Sequence, residues 1–139
     1  MYDVASDLYA KGLIDGIGMQ SHHDVKDFKA ENLEKALFKF AQIDGIEIQL
    51  TELDLHNTDD SDAGLEQQAQ IYKSIFDVLV DVDGKDLVNV TNVTFWGLND
   101  SCTWLTGFRK ETSYPLLFDG NNQPKPCYYS ILEAAANIE

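Results

Sequence analysis

Two short segments of this chain end in side chains able to do acid–base, nucleophilic or ligand chemistry. One closes on Gln20-Ser21-His22-His23 and the other on Thr51-Glu52-Leu53-Asp54-Leu55-His56, and between them they hold all three histidines of the chain. A carboxylate beside an imidazole can act as nucleophile or as general acid and base. The same residue types ligate hydrolytic zinc, but no compact H-E-x-x-H motif is present. Adjacent His22 and His23 on a strand point to opposite faces, so they are poor joint ligands, and neither a metal nor a cofactor is expected. Carboxylates at strand ends also cap helices or sit in solvent, so position alone leaves Glu52 between a chemical and a structural role.

A third cluster sets Trp96 and Trp104 beside Asn99 and Asp100. Indole faces stack on the apolar faces of sugar rings while short polar groups fix hydroxyls, a mixture suited to a carbohydrate cleft. Trp96 follows an apolar strand and reads as readily as core; Trp104, in a polar stretch, is the better ligand candidate.

The elements that must position these groups alternate. Residues 2–11 read as a helix ending at Gly12, and residues 15–21 as a short strand. Leu33, Ala36, Leu37, Phe40 and Ala41 repeat at helical spacing, followed by Ile46, Ile48 and Leu50 alternating with polar residues as a strand. The apolar phase then slips to Leu53 and Leu55, which predicts a β-bulge near Thr51 or Glu52. A polar loop over residues 57–64 leads to a second long helix through Ile71, Tyr72, Ile75, Phe76 and Leu79. Residues 90–97 form the third strand, running into a loop, and Pro124-Lys125-Pro126 opens a closing helix through Ala136. Phe38, Phe40, Tyr72 and Phe76 are read as packing residues. The expected class is α/β, with three parallel strands and flanking helices. Every polar cluster falls at the C-terminal end of a strand, where parallel α/β folds place their sites.

Composition narrows the partners. The 139 residues carry 10 Lys plus Arg against 24 Asp plus Glu, a net charge of −14, which repels phosphate backbones and anionic lipid. No nucleic acid and no membrane partner is expected, and no apolar run approaches the roughly 20 residues of a bilayer span. The opening MYDVASDLYAKG has neither the basic nor the apolar region of a signal peptide. Cys102 and Cys127 define neither a disulfide framework nor a zinc site.

Four ordered motifs resemble one family. Residues 15–22, Asp-Gly-Ile-Gly-Met-Gln-Ser-His, resemble the sixth-strand motif of family 10 glycoside hydrolases. Leu50-Thr51-Glu52-Leu53-Asp54 resembles their seventh-strand nucleophile motif, and Val93-Thr94-Phe95-Trp96-Gly97-Leu98-Asn99-Asp100 their eighth strand. Pro115-Leu116-Leu117-Phe118-Asp119, with Gln123-Pro124-Lys125-Pro126 and Tyr128-Tyr129, resembles the closing segment.

The resemblance implies the C-terminal portion of a (β/α)8 TIM barrel, residues 1–139 being a partial catalytic domain. The sequence is expected to be a truncated gene product or partial sequence, with the missing N-terminal part of the same barrel as its partner. The implied activity is a retaining endo-1,4-β-xylanase acting on xylan or xylo-oligosaccharides, extracellular in location. Glu52 is then the nucleophile, His22 its hydrogen-bond partner and Asp54 the group that orients His22. Gln20 lies near the reacting sugar, and Trp96 and Trp104 line the cleft. The family's acid/base glutamate sits in an Asn-Glu motif that this chain lacks; Glu31-Asn32 opens a helix and is read as surface. Leu105 stands where the family usually has Arg after the second tryptophan, with Arg109 four residues on. His23, His56 and the two cysteines lie outside the pattern and receive no role. The competing readings are a non-catalytic carbohydrate-binding remnant and a metal-dependent hydrolase.

Overall fold

Rows of apolar side chains on two amphipathic helices meet one face of a parallel sheet in the computed structural model, which describes residues 1–136. In chain order the elements are α1 (Tyr2–Ala10), β1 (Gly16–Met19), β2 (His22–Asp24), α2 (Ala30–Ala41), β3 (Glu47–His56), α3 (Asp62–Gly84), β4 (Val90–Phe95), α4 (Trp104–Arg109) and α5 (Pro126–Ala135), with a 3₁₀ turn at Asp100–Cys102 before α4. Helix α2 buries Leu33 and Leu37, and α3 buries Tyr72, Ile75, Leu79 and Val82. They pack over Ile48, Leu50, Leu53 and Leu55 of β3, all fully buried. Each such side chain contributes about 1.5–3 kcal/mol relative to exposure, so this shared face is the main source of cohesion.

β3 is the central strand. β1 and β2 both pair with it in parallel along one edge and β4 along the other. The single strand expected over residues 15–21 is therefore two short pieces that extend to Asp24. They part at Gln20 and Ser21, where Ser21 takes a left-handed backbone, φ 65°. The opposite face of the sheet is polar: Gln49 donates to Thr91 and Thr91 to Glu47 across it.

Three further readings differ from expectation, two of boundaries and one of burial. α3 begins at Asp62 inside the expected loop, because Ser61 caps it by accepting from the Gly64 N–H. The segment holding Trp104 is a one-and-a-half-turn helix rather than a loop, capped by the Thr103 hydroxyl, which accepts from the Leu105 N–H. Phe38 is exposed, whereas Tyr72 is fully buried and Phe40 and Phe76 join the core edge. Pro126 sits in the first turn of α5, and the backbone at Gly12 is left-handed just past α1, as their residue types require.

Candidate active site

The site depends on one extra residue in β3. Between Met19↔Leu50 and His22↔Asp54 the edge strand advances three residues while β3 advances four. On the other side, Leu50↔Val93 to Leu53↔Phe95 spans two residues of β4 and three of β3. Both neighbours thus register a bulge at Thr51-Glu52, where the apolar phase slips. Without it, residues 48, 50, 52 and 54 would share a face and Glu52 and Asp54 would point into the helices. With it, Leu53 and Leu55 continue the buried row, and Glu52 and Asp54 turn to the open side.

On the adjacent strand the parity is uninterrupted. His22 is the register partner of Asp54 and faces it, while His23 turns the other way and packs edge-on against Phe28, ring centroids 4.9 Å apart. His22 Nδ1 lies 2.9 Å from Asp54 Oδ1, and His22 Nε2 lies 3.3 Å from Glu52 Oε2. Asp54 Oδ2 accepts the Trp104 indole N–H at 2.8 Å. Asp54 is completely buried with both oxygens engaged. Glu52 keeps about a quarter of its side chain open, at 24%. The imidazole is therefore a bridge between an accessible carboxylate and a buried one, and the buried one fixes its ring.

Helix α4 supplies the aromatic wall. The Trp104 ring lies 5.0 Å from the His22 ring and 4.8 Å from Phe108, one turn on. Arg109 ties the end of α4 to the edge strand through an Asp24 contact of 3.1 Å. Leu105, where an arginine was expected, is buried beneath the helix. Trp96 is not core: it follows Phe95, which stacks on Phe76 on the helix side, so it turns to the site side and is 45% exposed. Its backbone N–H donates to Leu53 O at 3.0 Å. Gln20 enters through its backbone, its carbonyl accepting the Glu52 N–H at 3.0 Å while its side chain is exposed.

Asn99 and Asp100 are not cleft groups. Asn99 caps the 3₁₀ turn, its Oδ1 accepting from the Ser101 N–H. Asp100 pairs at 2.9 Å with Lys125, which is 5% exposed and whose ammonium also donates to the carbonyls of Tyr114 and Leu116. These contacts pin the loop that carries α4 to the closing segment. Glu31 lies exposed in the first turn of α2, far in sequence and in face from the bulge.

The remaining polar groups serve the frame. His56, buried, meets Ser113 Oγ at 2.8 Å and Glu111 at 3.2 Å, joining the end of β3 to the segment after α4. Burial lowers His23 below the usual imidazole range against the opposing pull of Asp54, and its buried Nε2 has no hydrogen-bond partner among the described residues. Cys102 is exposed and Cys127 buried, both as thiols, and burial pushes Cys127 up to about 11, which leaves it unreactive. A cavity of about 600 Å³, walled by Asp60, Thr103, Thr106, Ser113 and Tyr114 among others, lies on the side of α4 away from His22. Among the described residues no cluster of three His, Cys, Asp or Glu side chains is arranged to hold a metal ion.

Sequence reasoning missed α4 itself, and with it Phe108 and the Arg109–Asp24 tie. Its one signal was Thr103, a capping residue type directly before Trp104; Gly107 breaks the periodicity that would otherwise mark a helix.

Comparison with known proteins gives this geometry a lineage. The family model described as glycosyl hydrolase family 10 matches residues 1–134. Endo-1,4-beta-xylanase B of Butyrivibrio fibrisolvens is 41% identical over 134 residues, 96% of this chain but 21% of that protein. Native xylanase 10B from Thermotoga maritima superposes with a TM-score of 0.83 at 36% identity, over 97% of this chain and 41% of that one. The endo-1,4-beta-D-xylanase 10B of Clostridium thermocellum, whose structure holds xylohexaose, gives a TM-score of 0.82 at 39% identity, over 99% of this chain and 26% of that one. The chain thus spans well under half the length of these proteins. A parallel sheet backed by helices, the bulged Glu52–His22–Asp54 bridge at its C-terminal edge and a match over nearly every residue make this chain a member of glycosyl hydrolase family 10, sharing its α/β barrel fold in part.

Proposed function

We propose that the chain is the nucleophile-bearing part of a retaining endo-1,4-β-xylanase, acting on xylan or xylo-oligosaccharides. The observation that carries this reading is the bridge from Glu52 through His22 to a buried Asp54. Glu52 Oε2 is held by the imidazole, and among the described residues no hydrogen bond engages Oε1, which is the oxygen left to attack an anomeric carbon. Attack forms a glycosyl ester on Glu52 and breaks the bond to the leaving oxygen; water then hydrolyses the ester. Asp54, on the far ring nitrogen of His22, keeps the ring from turning away from Glu52. Trp104, its N–H spent on Asp54, offers a fixed indole face for a sugar ring.

Retention also needs a proton donor about 5–5.5 Å from the nucleophile. Asp54 is unsuited, being buried with both oxygens engaged. We therefore assign the acid/base to a part of the barrel outside these 139 residues. The likeness to xylanases, one of them bound to xylohexaose, supports the substrate class.

The test places the chain in a barrel completed by the preceding strands of the Thermotoga maritima relative. Glu52→Ala should abolish turnover of xylan, and azide should restore turnover of an activated aryl xylobioside, giving the α-xylobiosyl azide and the free phenol. The β-azide would instead make residue 52 the acid/base and overturn the assignment.

A further inference from the structure

The sugar-facing wall does not end at Trp104. Phe108 sits one helical turn beyond it on α4, ring centroids 4.8 Å apart and planes tilted by 42°, yet it is 69% exposed. It takes no part in the hydrophobic core, and among the described residues its ring contact is with Trp104. A large aromatic ring held open to solvent loses the stabilisation that burial would give, and such rings mark binding surfaces when they continue a cleft. This one does: His22, Trp104 and Phe108 form a row of rings with steps of 5.0 and 4.8 Å leading away from Glu52.

The row is also fixed in place. Trp104 is anchored by its N–H to Asp54, Leu105 is buried beneath the helix, and Arg109 grips Asp24 at the end of the edge strand. A helix of six residues held at three successive points presents Phe108 with little freedom to lose on binding.

We infer that Phe108 is a sugar-binding platform that lengthens the cleft wall beyond Trp104, so that α4 sets the preference of this protein for longer xylan chains over short ones. The inference rests on the proposed xylanase reading and goes beyond it. The occupant is a neutral xylosyl unit: an apolar ring face suits the C–H face of a pyranose, and the net charge of −14 disfavours an anionic polymer on the same surface.

Titration of xylohexaose and of xylobiose into the completed barrel carrying Glu52→Ala, so that neither sugar is turned over, followed by tryptophan emission and calorimetry, tests it. Phe108→Ala should weaken xylohexaose binding by roughly threefold to tenfold, the range expected for one aromatic contact, and leave xylobiose unchanged. Phe108→Trp should restore xylohexaose binding. Because the side chain is mostly exposed, neither variant disturbs the core. If Phe108→Ala binds xylohexaose as the parent does, or loses affinity for both sugars equally, the platform is refuted while the cleft assignment stands. If the completed barrel with Phe108 intact binds neither sugar, the cleft assignment fails and the inference falls with it.

Discussion

Asp54→Ala removes two hydrogen-bond acceptors in one step, and the cost can be worked from the contacts. His22 Nδ1 loses its partner at 2.9 Å and the Trp104 N–H loses its partner at 2.8 Å. A donor left without a partner in the interior costs about 1–3 kcal/mol. Water can reach part of both groups, His22 being 23% and Trp104 37% exposed, so the two together should cost about 2–4 kcal/mol rather than the full sum. That is a large share of the about 5–15 kcal/mol that holds a typical domain. Asp54→Asn keeps one carbonyl oxygen and serves one of the two donors, so it should cost about half as much. Urea unfolding followed by tryptophan emission and far-ultraviolet dichroism gives the midpoints, compared at equal slope. An Asp54→Ala protein within about 0.5 kcal/mol of the parent, the range of an ordinary surface change, would refute the bridge as a structural element. Equal loss in Ala and Asn would refute the role given to the retained acceptor.

Two further outcomes follow from the same geometry. With the acid/base placed outside these residues as proposed, the 139-residue chain alone should release no reducing sugar from xylan, and steady turnover by the isolated chain would contradict that placement. Burial holds His23 below its ordinary value of 6.5, so the unfolded chain binds the proton more readily. Its contribution is fully present above that pH and is lost as pH falls through 6.5 toward the lower folded value. His23→Phe should therefore gain on the parent in unfolding free energy between pH 7.5 and 5.5; a constant difference would exclude the effect.

Much of this was legible because it was local. The slip from Leu50 to Leu53 is written in the apolar pattern, and the bulge followed from it by parity alone. The sheet class followed from the alternation of periods two and 3.6. What was not legible came from contacts between distant residues. That Asp100 is consumed by Lys125 depends on how the closing segment folds back, 25 residues on, and the polar types of Asn99 and Asp100 suited a cleft equally well. The break at Ser21 came from the tertiary pairing of two short pieces with one long strand, which no residue type there announces. Helix α4 is held by Asp54, Asp24 and its buried Leu105 more than by its own six residues, so propensity could not reveal it. His56 became intelligible only when Ser113 and Glu111 came into reach.

The proposed nucleophile, Glu52, would carry the glycosyl group. In the completed barrel, a 2-deoxy-2-fluoro-xylobioside with a good leaving group should inactivate the enzyme and leave its sugar as an ester, read by mass spectrometry of the digested protein. This assignment puts the added mass on the peptide containing Glu52 and removes it in Glu52→Ala. An inactivated enzyme whose label sits on any other residue would contradict it.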